Sequence, residues 1–211
     1  ISLLLGVHVR RIPSEDKNFS YIPKNLAIPT DAKYLHITSN NTVSGTQYHS
    51  FPDTDKPLVA DMSSDIFSRP LDMNRFGLIY AGAQKNLGPA GTTLVIVRKD
   101  LLGKVERSIP TMLDYNTHIK KSSAFNTPPA FPIYVSMLNM RWIKANGGVA
   151  AMQKRNAEKA ALLYATIDEN PNFYCPIAEE DRSVMTAVFL PTDEARTADF
   201  IAAASAVGCV G

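Results

Sequence analysis

Cysteine is scarce in this chain: Cys175 and Cys209 are the only two among 211 residues. They have neither CxxC spacing nor histidines grouped beside them, so a metal centre and a disulfide framework are not expected, and a reducing cytoplasm suits such usage. Charge of one sign is lacking too. The 22 Lys and Arg against 20 Asp and Glu leave a formal net charge of +2, too little to make nucleic acid or an anionic bilayer the main partner. Long apolar runs are missing. The longest, such as residues 94–97, fall far short of the roughly 20 residues that span a bilayer. No charged-then-apolar leader opens the sequence, so a secretory signal is not expected either. Internal repeats and low-complexity tracts are absent as well.

What is there is an ordinary globular composition, 45% hydrophobic and 20% charged, in a chain long enough to bury a core in one large or two small domains. It opens on Ile1 and closes on the apolar "AAASAVGCVG"; both ends are expected to be cuts in something longer.

Four short segments read as strands: "YLHITSN" (34–40), "PLVADM" (57–62), "GLIYAGA" (77–83) and "TTLVIV" (92–97). Each is rich in β-branched or aromatic residues and flanked by turn formers. Most are apolar on consecutive positions, the mark of strands covered on both faces, which favours an α/β layer fold with a mostly parallel sheet. Helices take over after "NTPPAF". Tyr134, Met137, Leu138, Arg141 and Trp142 recur at helical spacing, Trp142 reads as core, and "NGG" (146–148) ends that helix. A second stripe runs through Val149, Met152, Asn156, Ala160, Leu163, Tyr164 and Ile167 to "ENPN". "VMTAVFLP" (184–191) reads as a strand and "EARTADFIAAASAVG" as a helix. This change of texture puts the expected domain boundary at Gly147, with 1–147 and 148–211 on either side.

Chemistry gathers at two strand ends. Asp61 follows directly on "LVA", and Lys85 closes "GLIYAGAQK". In open α/β sheets the carboxyl ends of strands are where ligands bind. One acid and one amine delivered there are the minimum for pyridoxal phosphate chemistry: the amine joins the cofactor aldehyde, and the carboxylate pairs with the ring nitrogen. Free lysine titrates near 10.4, so desolvation or cationic neighbours must help it act as nucleophile and base. Gly82, Gly88 and Gly91 would let backbone approach a cofactor. The plainer alternative is a solvated lysine in a turn and an aspartate capping a helix. A phosphate loop is disfavoured, because "GAQKNLGPAG" lacks the GxxxxGK[ST] order.

"VADMSSDIFSRPLD", "GLIYAGAQKNLGPAGTTLVIVRKDLLGK", "FNTPP" and "WIKANGGV" resemble the phosphoserine aminotransferases, pyridoxal-phosphate-dependent transaminases of fold type I in the class-V group. The resemblance runs in order from about Asp16 to the C-terminus. It implies a large cofactor-binding domain of mostly parallel sheet flanked by helices, here 1–147, and part of a smaller C-terminal domain, here 148–211. It implies that Lys85 carries the cofactor and shuttles the substrate proton, and that Asp61 meets the ring nitrogen. Thr42 is implied near the ring hydroxyl, and Gln84 at the cofactor phosphate. Asn126 and Thr127 are implied to reach the cofactor phosphate of a neighbouring subunit in a homodimer with a shared site. Glutamate and 3-phosphohydroxypyruvate are the implied substrates. Family members continue beyond both ends of this chain, where a Gly-rich phosphate turn, a ring-stacking aromatic and substrate-binding basic residues are expected.

Each position also has a local reading. Asn126 and Thr127, ahead of two prolines, suit a helix N-cap; Thr42 suits a turn. Ser63 and Ser64 either orient Asp61 or serve only the turn. His36, His49 and His118 show no metal spacing. Two rivals to the transaminase are another class-V enzyme, such as a desulfurase, and a non-catalytic dimerisation module. Neither cysteine falls on a recognisable catalytic loop, which counts against the desulfurase.

Overall fold

All four strands read from the first half of the sequence are present, each somewhat shorter than read: β1 (Leu35–Thr38), β2 (Leu58–Asp61), β3 (Leu78–Gly82) and β4 (Thr93–Val97). They form one sheet in the order β1-β2-β3-β4. The first three run parallel, and β4 turns back antiparallel on β3. The structure, a computed structural model, describes residues 14–209; the segment 1–13 and the last two residues of the apolar C-terminal stretch lie outside it. The chain divides into two compact units. One comprises the described residues up to Thr30, Asn41–Pro52 and the described residues from Lys159 onward; the other comprises Asp31–Asn40 and Asp53–Glu158 and holds the whole four-stranded sheet.

Burial of the sheet corrects one expectation. Consecutive apolar residues suggested strands covered on both faces, yet among the described residues burial alternates. Ile37, Leu58, Ala60, Ile79 and Ala81 are buried on one face. His36, Thr38, Val59, Asp61, Leu78 and Tyr80, on the other, are half-buried or exposed. A strand turns successive side chains to opposite faces, so an unbroken apolar run does not fix how many faces are covered. The open face here is the one that carries His36, Thr38, Asp61 and Tyr80.

The helices follow as α1 (Tyr115–Lys120), α2 (Ala130–Ala145), α3 (Gly148–Glu169) and α4 (Thr197–Ala206). Asn146 and Gly147, the latter at φ +92°, break α2 from α3, because glycine adopts the left-handed conformation without a Cβ clash. The stripe read for α3 is the covered one, ending on buried Ile167; only Leu163 of its members is exposed. The stripe read for α2 is not. Trp142, expected in the core, is 48% exposed, as are Tyr134 and Leu138 in similar measure. The buried residues of α2 are Ser136 and Ile143. A polar contact with the turn after β3 orients the helix, and hydrophobic spacing does not reveal it. Arg155 lays its guanidinium over the exposed Trp142 ring, 5.5 Å from the centroid.

In the first unit, β5 (Phe173–Tyr174) pairs antiparallel with β6 (Leu190–Pro191). That is all that remains of the longer strand expected over 184–191. The backbone N–H groups of Met185 and Thr186 both donate to Ser183 Oγ, at 3.0 and 2.9 Å, so they serve a side-chain turn instead of a ladder. Phe173, Phe189 and Phe200 meet edge-on with centroids 4.9 to 6.0 Å apart, a preferred aromatic geometry. Asp181 is fully buried and accepts from Ile22 N at 2.8 Å and from Lys24 Nζ.

Tyr164 donates to the Ser183 carbonyl at 2.9 Å. Burial, with a smaller push from Cys175, raises its hydroxyl to about 12 against an opposing pull from Arg182. An unfolded tyrosine titrates near 10. The folded state therefore keeps its proton where the unfolded state loses it, and this contribution to stability is full below pH 10 and lost as pH rises toward 12. Urea midpoints at pH 9 and pH 11.5 should fall further for the parent than for Tyr164→Phe; equal falls would remove Tyr164 as the cause.

Candidate active site

β2 ends at Asp61 and β3 at Gly82. Because the two strands are parallel neighbours, their carboxyl ends open at the same edge of the sheet. The register sets Asp61 beside Tyr80 on one side and beside Thr38 on the other, so the carboxylate rises from the open face.

Ser63 fixes that carboxylate. Its backbone N–H and its hydroxyl both donate to Asp61 Oδ1, at 2.9 and 2.6 Å. The same hydroxyl accepts from Gly82 N at 3.0 Å, which ties the acid to the end of β3. Charge-assisted bonds of this kind are shorter and stronger than neutral ones. Ser64 does different work: its hydroxyl donates to the Asn40 carbonyl at 2.7 Å and accepts from Asn40 Nδ2 at 2.9 Å, joining the exits of β1 and β2. Of the alternatives open for the two serines, Ser63 orients Asp61 and Ser64 serves the turn.

Lys85 and Gln84 lie in the turn directly after β3, and both are exposed. The segment surfaces at Gln84, and the amine is reachable from solvent. The turn itself is held firmly. Asn139 of α2 donates to the carbonyls of Asn86 and Leu87 at 3.1 and 2.9 Å, and Asn86 donates in turn to the Ile66 carbonyl. Sequence reading missed both asparagines; the available signal was a polar residue one turn before Ile143 on the covered side of α2.

Two of the glycines around Lys85 also have close neighbours within the protein. A Cβ at Gly88 would lie 2.4 Å from Ser136 Oγ, and one at Gly82 would lie 2.5 Å from Gln84 Oε1. The space they leave is filled by the protein's own side chains, so they serve helix and turn packing. Gly88→Ala should force α2 away from the Lys85 turn and cost about 1–3 kcal/mol. Chemical denaturation measures this directly, and an unchanged midpoint would mean that Ser136 moves aside freely.

Asn126 and Thr127 are exposed in the loop before α2. They do not cap it: the N-cap is Pro129, with no side-chain cap bond, and Asn126 Nδ2 turns to Met112 Sδ at 3.4 Å. Thr42 belongs to the other unit. It sits in a turn closed by Asn41 Oδ1, which accepts from Val43 N and Ser44 N at 2.9 and 3.1 Å. The structure thus brings Asp61, Gln84 and Lys85 to one end of one sheet and leaves Asn126 and Thr127 on an open loop of that unit, while Thr42 is counted with the other unit. His118 Nε2 meets the Met112 carbonyl at 3.0 Å and His49 Nε2 the Arg182 carbonyl at 2.9 Å. Among the described residues, no three His, Cys, Asp or Glu side chains group closely enough to hold a metal ion, and no helix is long and apolar enough to cross a membrane.

A mostly parallel sheet with flanking helices is the arrangement of the fold-type-I pyridoxal phosphate transferases. The family model for class-V aminotransferases matches residues 2–208, and the chain belongs to that family. It is 55% identical over 200 residues to the phosphoserine aminotransferase of Parabacteroides distasonis, across 94% of this chain and 56% of the relative. Among solved structures, a phosphoserine aminotransferase studied for radiation damage of its Schiff base superimposes with a TM-score of 0.90 at 48% identity, over 94% of this chain and 56% of that one. The pyridoxal-phosphate-bound phosphoserine aminotransferase of Trichomonas vaginalis matches with a TM-score of 0.82 at 38% identity, over 87% of this chain and 53% of that one. The chain spans just over half the length of the relatives it matches.

Proposed function

We propose that the whole protein is a pyridoxal-phosphate-dependent phosphoserine aminotransferase, moving the amino group of glutamate to 3-phosphohydroxypyruvate to give O-phosphoserine and 2-oxoglutarate in serine biosynthesis. The observation that carries this reading is the Ser63-fixed carboxylate of Asp61 at the same sheet edge as the Lys85 amine. The donor set suits the cofactor: a carboxylate for a cationic ring nitrogen and a primary amine for an aldehyde, on neighbouring strand exits. When bound, pyridoxal phosphate supplies an electron sink for the bond broken at the substrate Cα.

The chain's own residues do the rest. Asp61 would hold the ring nitrogen in its charged form, and Ser63 keeps the acid from rotating away. Lys85 would hold the cofactor through its aldehyde, and its free amine would take and return the proton at the substrate Cα. The Asn139 and Asn86 bonds hold the Lys85 turn in register with the strand end. By resemblance, Thr42 is assigned to the ring hydroxyl side and Gln84 to the cofactor phosphate. Asn126 and Thr127 are assigned to the cofactor phosphate of the second subunit of a homodimer; their exposure on an open loop is compatible with that reach. Residues 1–147 are read as part of the large domain and 148–211 as part of the small one, and the enzyme as cytoplasmic.

The test is an amino-transfer assay on the complete, cofactor-loaded protein, with glutamate and 3-phosphohydroxypyruvate as the pair. O-phosphoserine and 2-oxoglutarate should accumulate in equal amounts. A yellow protein that turns over other keto acids but not this one would overturn the substrate assignment. A colourless protein that takes up no cofactor would overturn the class of chemistry.

A further inference from the structure

We propose that Asp65, acting through the Ser39 hydroxyl, is a positioning residue for Asp61, the acid assigned to the cofactor ring nitrogen; the inference rests on the function proposed above. Asp65 is only 3% exposed, and Ser39 is fully buried. A carboxylate is kept in such a place only with partners for its charge and its oxygens. The Ser39 hydroxyl donates to Asp65 Oδ1, and Arg69 Nη2 lies 3.9 Å from Oδ2. The same hydroxyl lies 3.0 Å from the Asp61 carbonyl oxygen, which also accepts from Ser39 N at 2.9 Å. One residue further along, Asn40 and Ser64 exchange a pair of bonds of their own. Two consecutive residues leaving β1 therefore grip two consecutive residues of the turn after β2.

These bonds close a ring. From Asp61 the chain runs through Met62, Ser63 and Ser64 to Asp65, whose N–H donates to the Met62 carbonyl at 3.2 Å. Asp65 then reaches back to Ser39, and Ser39 to the Asp61 carbonyl. Ser63, which holds Asp61 Oδ1, belongs to that ring. The Asp61 carboxylate is thus steadied by Ser63, and Ser63 by a turn whose far end Asp65 ties to β1. A serine hydroxyl has one proton to give. An ionised carboxylate is the stronger acceptor, so the proton goes to Asp65, and the Asp61 carbonyl keeps the Ser39 N–H. Without Asp65 the turn loses this anchor, and the Ser39 hydroxyl is released to the Asp61 carbonyl. Neither Asp65 nor Ser39 stands out in the sequence, where the two acids of "DMSSD" look alike.

The experiment uses the complete, cofactor-loaded protein and reads two quantities. One is turnover with glutamate and 3-phosphohydroxypyruvate; the other is the pH midpoint of the bound cofactor's absorbance change, which responds to charge at the ring nitrogen. The variants are Asp65→Ala, Asp65→Asn, Ser39→Ala, Asp61→Asn and the double variant Asp65→Ala with Asp61→Asn. Loss of one hydrogen bond to a charged acceptor should lower turnover about tenfold in Asp65→Ala and in Ser39→Ala. In both, the absorbance midpoint should move in the direction that Asp61→Asn moves it, by a smaller amount. Asp65→Asn, whose carbonyl still accepts from Ser39, should recover most of the loss. In the Asp61→Asn background, Asp65→Ala should cost no more than about twofold. An unshifted midpoint in Asp65→Ala, or the same tenfold loss with and without the Asp61 charge, would overturn the inference while leaving the enzyme assignment intact. A parent that takes up no cofactor would overturn both. Should Asp65→Ala fail to fold, Ser39→Ala decides alone, because it leaves Arg69 its carboxylate: an unshifted midpoint there overturns the inference.

Discussion

Lys85→Ala should leave a protein that folds normally, stays colourless with pyridoxal phosphate and transfers no amino group above background. Lys85 is exposed in a turn held by backbone bonds from Asn139, so removing its side chain should change stability by no more than about 0.5 kcal/mol. Chemistry is another matter, because an alanine has neither a nucleophile for the aldehyde nor a base for the Cα proton. Lys85→Arg separates charge from reactivity: it keeps the positive charge with a group that stays protonated, and should be equally inactive. Borohydride treatment of the loaded parent should fix the cofactor covalently at Lys85, read by peptide mass. Colour or turnover persisting in Lys85→Ala would remove this lysine from its assigned role.

Asp61→Asn should lower turnover by about two to three orders of magnitude, the size expected when a preorganised charge is taken from a reacting centre. The substitution is a clean one here. An asparagine carbonyl at Oδ1 can still accept from the Ser63 N–H and hydroxyl, so the local geometry and the tie to Gly82 survive. What disappears is the negative charge proposed to keep the ring nitrogen protonated. Cofactor affinity should fall as well, and the fold should not. Turnover within threefold of the parent would mean that the acid is a structural cap, the plainer alternative that its position also allows.

Much of this was legible in the sequence. Four short apolar segments with turn formers between them became four strands in one sheet, because side-chain shape and local turn chemistry act within a few residues. The α3 stripe ending at Ile167 was right for the same reason: one periodicity and one dominant face. The candidate acid and amine were legible because Asp61 closes one strand and Lys85 lies in the turn that follows its neighbour.

Other features depended on partners far along the chain. The face that α2 buries is set by Asn139 and Ser136 against the Lys85 turn, and no hydrophobic pattern records a hydrogen bond to a distant carbonyl. The strand expected over 184–191 shrank to Leu190–Pro191 because the Ser183 hydroxyl competes for its N–H groups. The side chains that stand beside Gly82 and Gly88 were not legible either, since what fills the space beside a glycine is decided only after folding.

By itself, then, the order of residues determined which segments became strands and helices, and which two groups stood at the strand exits. Those outcomes rest on local sterics, periodicity and turn chemistry, all of which act over neighbouring residues. Only the tertiary structure decided that Asp61 is steadied by Ser63, that the His36 and Tyr80 rings meet over β2, and that the Lys85 turn leans on α2. Such contacts join positions tens of residues apart, and their geometry exists only once strand order and register have been chosen.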